Sequence, residues 1–205
     1  MRLRRPRWVA DLDVEQLGDY AHVLVRAGYL DRAGAEAEVA RSARVDRCAD
    51  DPEVLAHGLV AAAVADLQAE QGSWPAVTDH DRLVEAFEEL RTRGLAVLEH
   101  VEDHWAATTE LERRDRLGDR VPGIIWFTPA DVWHAVRHGM LELNLWHGDT
   151  ANVAPGDALL DDVLGVLERH QLSAHFDEGR IEVTASWQRR MVFAGRSRPR
   201  SGGNR

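Results

Sequence analysis

Apolar residues recur along the first third of the chain at intervals of three and four, the spacing of helices that bury one face. Val14, Leu17, Ala21, Leu24 and Val25 make one such stripe, and Gly28 stands where a left-handed cap would end it. A second, shorter and more exposed helix is expected over residues 32–45, where only Ala35, Val39 and Ala43 align. Asp51-Pro52-Glu53 then supplies a capping side chain, a proline at the first helical position and an acid in the first turn. The stripe that follows is Leu55, Leu59, Val60, Ala63, Val64 and Leu67. Gln71-Gly72-Ser73-Trp74-Pro75 breaks the periodicity and is the expected boundary between a helical region at 11–72 and the rest.

Past that boundary the period changes. Thr78 and Asp81 have the spacing of a capping box and open a helix with Leu83, Val84, Phe87 and Leu90 on one face before Gly94. Residues 95–101 read as a strand, 105–117 as a charged surface helix, and 123–127 (GIIWF) as a short strand buried on both faces. A short helix at 130–138 leads to residues 140–146, where Leu141, Leu143 and Leu145 alternate with Glu142 and Asn144. A helix at 157–170 and a hairpin around Asp177-Glu178-Gly179, running on to Trp187, complete the pattern. The expected fold is therefore α+β. A mixed sheet of about five strands in the order β-α-β-α-β-α-β-β, with packed helices, fills residues 78–190 after the helical N-terminal region, around one core.

Over residues 78–190 this series resembles an uncharacterised actinobacterial domain-of-unknown-function family. The features that carry it are the helix end Arg93-Gly94-Leu95, the strand GIIWF with Asp131 four residues on, the strand closed by Gly148, and the end Trp187-Gln188-Arg189-Arg190. A Cys-bearing stretch belonging to that pattern is missing, since residues 100–105 read HVEDHW. The resemblance implies a fold and an origin, and no activity comes with it.

Composition narrows the chemistry. All 25 basic residues are arginine, which excludes Schiff-base lysines and the phosphate-binding lysine of a P-loop. Four of the arginines lie in residues 1–7 and six in 189–205, leaving 15 against 35 carboxylates in residues 8–188, a body with a net charge of −20. Such a body repels phosphate backbones, so nucleic acid is expected to bind, if anywhere, only through the Arg-rich tails at 1–10 and 191–205, which are expected to be flexible. One cysteine, Cys48, leaves no disulfide framework and points to a reducing cytoplasm. No apolar run is long enough to span a membrane or to form the core of a signal peptide.

Two collections near the strand ends could carry function. Trp105, Trp133 and Trp146, with Asp131 and His134, form a possible aromatic-lined binding surface. His100, His104, Asp131, His134 and His138 form a possible zinc or other divalent-metal site, because 131, 134 and 138 share one helical stripe; Asp103, His147 and Asp149 lie near the same ends. The preferred expectation is a non-catalytic cytoplasmic interaction or regulatory module without a cofactor, whose acidic, Trp-bearing surface meets another protein. Its rival is a metal-dependent hydrolase built on the five metal candidates.

Overall fold

The computed structural model describes residues 13–191. The tails expected at 1–10 and 191–205 lie outside the described residues, Met191 excepted.

Seven helices and five strands follow one another among these residues. Helix α1 (Val14–Ala27) starts at a reciprocal box between Asp13 and Gln16 and stops at Gly28, whose φ of +74° is the left-handed cap the sequence suggested. Helix α2 (Arg32–Asp46) is longer and better buried than expected, since Ala40 and Ser42 join Ala35, Val39 and Ala43 in the interior. The reason is size: alanines let its backbone lie close to α3 (Pro52–Gln71). Asp51 caps α3, and Ala56, Val60, Ala63 and Leu67 form its buried line, with Leu55, Leu59 and Val64 only partly covered. Helices α1, α2 and α3 pack against one another.

Helix α4 (Asp79–Thr92) begins at the Thr78/Asp81 box. Strand β1 follows but spans only Ala96–Leu98, because the chain turns at Gly94 (φ +89°) before it and again at His100 (φ +54°) after it. Helix α5 (His104–Arg116) leads to β2 (Gly123–Trp126), which is buried along its whole length. Helix α6 (Pro129–His138), β3 (Met140–His147), α7 (Ala158–Arg169), β4 (Ser173–Asp177) and β5 (Arg180–Thr184) complete the order read from the sequence. Glu178 (φ +43°) and Gly179 (φ +90°) make the two-residue turn between β4 and β5.

The sheet order is β1-β2-β3-β5-β4, with β1 and β2 parallel and the other neighbours antiparallel. Alternation along the strands makes two unlike faces. Ile125, Leu141, Leu143, Leu145, Ile181 and Val183 enter a large core shared with α1, α2, α3, α4, α6 and α7. On the other face, α5 covers Ala96, Ile124 and Trp126 with Ala107 and Leu111, a second and smaller core. The single core expected is thus two, because β2 carries apolar side chains on both faces. Over β3, β5 and β4 that second face carries Glu142, Asn144, Arg180, Glu182, His175 and Asp177, and the strands alternate between buried and accessible residues.

The C-terminal chain does not stay in the sheet as far as Trp187. After Thr184 only the Ala185 N–H continues the ladder, to the Gly139 carbonyl, and Trp187 then turns into the large core. No described helix is long and apolar enough to cross a membrane.

Candidate functional site

Four places bring polar or aromatic chemistry together, and the residues singled out from sequence divide among them. The first is a cleft of about 450 Å³ where α6 overhangs β3 and β5, lined by Asp131, Trp133, His134, Arg137, His138, Glu142 and Arg180. The helical stripe expected for 131, 134 and 138 is real. His134 and His138 stand with ring centroids 4.8 Å apart and nearly perpendicular, and His134 Nδ1 lies 3.7 Å from Glu142. Arg180 pairs with Glu142 and reaches within 3.7 Å of Asp131.

Asp131 is the buried acid of this cleft, 6% exposed. Burial pushes its carboxyl up from the usual aspartate range, against the pull of the Thr128 N–H and hydroxyl. Those same bonds show why it is there: Thr128 N and Oγ1 donate to Asp131 Oδ2 at 2.7 and 2.8 Å, the capping box of α6. Thr128→Ala removes the hydroxyl that accepts the Asp131 N–H and donates to its carboxylate, leaving only the Thr128 N–H half of the box, and should destabilise the protein by about 1–2 kcal/mol. Urea unfolding with an unchanged m-value measures it.

The second place is aromatic. Trp105 opens α5 and is 64% exposed, His104 lies 4.8 Å from it and 6.2 Å from Trp146, and Trp146 meets Trp126 edge-on at 4.5 Å. Trp146 and Asn144 alternate with the buried leucines of β3, so this group adjoins the uncovered sheet face. Trp133 does not join it. Its ring packs into the large core edge-on against Tyr20 of α1, 5% exposed, and also borders the first cleft.

The third place surrounds His100, which is 8% exposed and stacks on Tyr29 at 3.8 Å. Arg189 lies 4.5 Å over the same phenol ring, and His80 meets Trp187 edge-on at 5.0 Å. Burial, and then the Arg189 charge, holds both His80 and His100 down at about 4.

The five metal candidates are accordingly not gathered at one point. His100 turns toward Tyr29 beside the large core, His104 opens α5 on the opposite face of the sheet, and Asp131, His134 and His138 share the α6 cleft. His100 stacks on a residue packed against the large core and His104 meets one packed against the smaller core, so the sheet lies between them. Among the described residues no three His, Cys, Asp or Glu side chains gather as a metal would require.

The fourth place is a cleft of about 800 Å³ between α5 and the turn after β3. His147 lines it and shares Asp157 Oδ2 at 3.1 Å, while Asp149 accepts the Ala151 N–H at 3.1 Å within the turn. The Ala154 N–H, then His147, hold the Asp157 carboxyl below its usual range. The turn is tight: the Gly148 N–H bonds the Pro122 carbonyl, and a Cβ on Gly148 would enter the van der Waals shell of the Val121 carbonyl oxygen. Thr150 closes it at a φ of +72°.

Sequence reasoning missed Arg180, Tyr29, His80, Arg189 and Asp157. For Arg180 a signal existed, since it precedes the alternating residues of the last strand and shares their parity with Glu182.

A family model described as a domain of unknown function (DUF6891) matches residues 11–191, so the match takes in the N-terminal helices as well as the stretch at 78–190. No curated protein and no solved structure matches the chain.

Proposed function

The chain belongs to the family of domains of unknown function DUF6891, and from that premise we propose that it is a non-catalytic cytoplasmic interaction module, working without a cofactor, that meets another protein through the uncovered face of its sheet. One observation carries the reading. Helices cover one side of the sheet throughout, whereas on the other side α5 covers the β1–β2 end, α6 overhangs Glu142 and Arg180, and a charged, partly accessible surface remains over β3, β5 and β4.

The placement of charge on that surface supports it. Glu142 and Glu182 stand directly opposite each other in the β3–β5 ladder, an arrangement that destabilises a sheet unless compensated. Arg180 pairs with Glu142, and His175 lies 3.4 Å from Glu182. An acidic face of this kind, in a body with a net charge of −20 over residues 8–188, fits a partner presenting positive charge. Trp105, exposed beside His104, is the type of residue that anchors interfaces.

Affinity capture from the native host with the full chain, followed by cross-linking, tests the reading. A partner cross-linked to β3 or β5 should be lost with Trp105→Ala or with Glu142→Gln/Glu182→Gln, while thermal stability stays within about 0.5 kcal/mol of wild type for Trp105→Ala. Identical captures by wild type and both variants would remove the proposal.

A further inference from the structure

We infer that residues 186–191 form an acid-released clasp: protonation of His80 and His100 beneath it detaches this strap from the N-terminal helices while the sheet remains folded.

The strap is fastened at four points, all on parts of the chain far from it in sequence. Ser186 N–H donates to Asp79 Oδ2 at the start of α4, at 3.0 Å. The Trp187 indole N–H donates to the Ala27 carbonyl at the end of α1, at 3.3 Å. Arg189 lies over Tyr29, and Arg190 donates to the Pro75 carbonyl in the loop between α3 and α4. None of these is a ladder bond, so the strap can leave without unzipping β5. The sheet keeps its own register through Thr184.

Beneath the strap lie two imidazoles with little access to water. His100 shares the Tyr29 ring with the Arg189 guanidinium, and its own backbone is held in the left-handed region that non-glycine residues seldom adopt. His80 abuts Trp187, the strap's deepest anchor. The charges facing them are few. Arg189 opposes protonation of both; Asp81 on the same helix as His80, and Glu99 beyond β1, favour protonation of His80 without outweighing burial. Tyr29 adds no counter-charge, because burial pushes its phenol pKa up, and its hydroxyl has no hydrogen-bond partner among the described residues.

The sign follows from which form each state prefers. With the strap closed both imidazoles are neutral down to a pH of about 4; released into water they take protons from pH ~6.5 downward. Acid therefore favours the released state, by roughly 30-fold per histidine at pH 5 for a fully solvated imidazole. What leaves with the strap includes its attachment to residues 192–205, which hold four arginines and no acid.

Hydrogen exchange of the full chain between pH 8 and pH 5, corrected for the intrinsic rate, tests this. Protection of residues 186–191 and of the α1 end should fall more than tenfold relative to β3, whose protection should persist. In His80→Gln/His100→Gln that selective fall should vanish. If this double variant does not fold at pH 8, Arg189→Gln replaces it: without the guanidinium the imidazoles protonate at less cost in the closed state, and the pH response should shrink. Loss of protection in strap and sheet together, or a response unchanged by whichever variant folds, overturns the clasp.

Discussion

Gly148→Ala should cost roughly 3–5 kcal/mol, a large share of the stability of a typical domain. The cost is steric: the added methyl meets the carbonyl oxygen of Val121, a backbone atom that no rotamer change can move. Relief would require opening the Gly148 N–H bond to Pro122 and shifting the end of the β2–β3 ladder, where Gly123 pairs with His147. Gly123 is hemmed in too, by Leu159 and the Trp146 carbonyl, so the strain has nowhere to disperse. Gly58→Ala is the control of opposite sign. It lies exposed within α3, its Cβ would meet nothing within 4 Å, and helix propensity alone should stabilise it by about 0.5–1 kcal/mol. Thermal unfolding of the two variants should move in opposite directions, with a drop of roughly 10 °C for Gly148→Ala. A Gly148→Ala protein as stable as wild type would show that the turn after β3 is not as tightly built as described.

Trp187→Ala should be nearly as severe, about 3–5 kcal/mol. The ring is 4% exposed, meets Phe127 and His80 edge-on at 6.2 and 5.0 Å, and its N–H satisfies the last turn of α1. Truncation leaves a cavity in the large core and an unpaired carbonyl at Ala27, two losses that add. Trp105→Ala removes the same chemical group from the rim of the uncovered face and should leave the midpoint of denaturant unfolding unchanged. Equal effects of the two substitutions would contradict this division between a structural and a surface tryptophan.

The order of elements was readable because most helices announce their ends. Asp51 and Thr78 cap, Gly28 closes, and the alternation in β3 is clean. Where the reading stretched a strand, the cause was backbone conformation. Residues 95–101 are apolar enough for a strand, but Gly94 and His100 both adopt positive φ and leave room for three residues. A histidine there carries no sequence mark of its geometry.

The site was less legible, for two reasons. Asp131 drew notice as a functional carboxylate, yet Thr128 and Asp131 repeat the spacing of Thr78 and Asp81, and both pairs cap helices. The cleft it borders depends on Arg180 and Glu142, which come together only through the antiparallel register of β3 and β5. Likewise His100 and His104 are neighbours in sequence but separated by the thickness of the sheet, a separation that no spacing rule encodes.

Trp187 reaches back 160 residues to bond the Ala27 carbonyl. During synthesis, then, the first helix waits for Trp187 to leave the ribosome before its end is closed. Until then Tyr29 and the surface around Phe127 lack their cover, and transiently exposed apolar surface of this kind is where a nascent chain is prone to aggregate. A chain released before Trp187 would carry every helix and strand of the fold and still present that open seam to proteases.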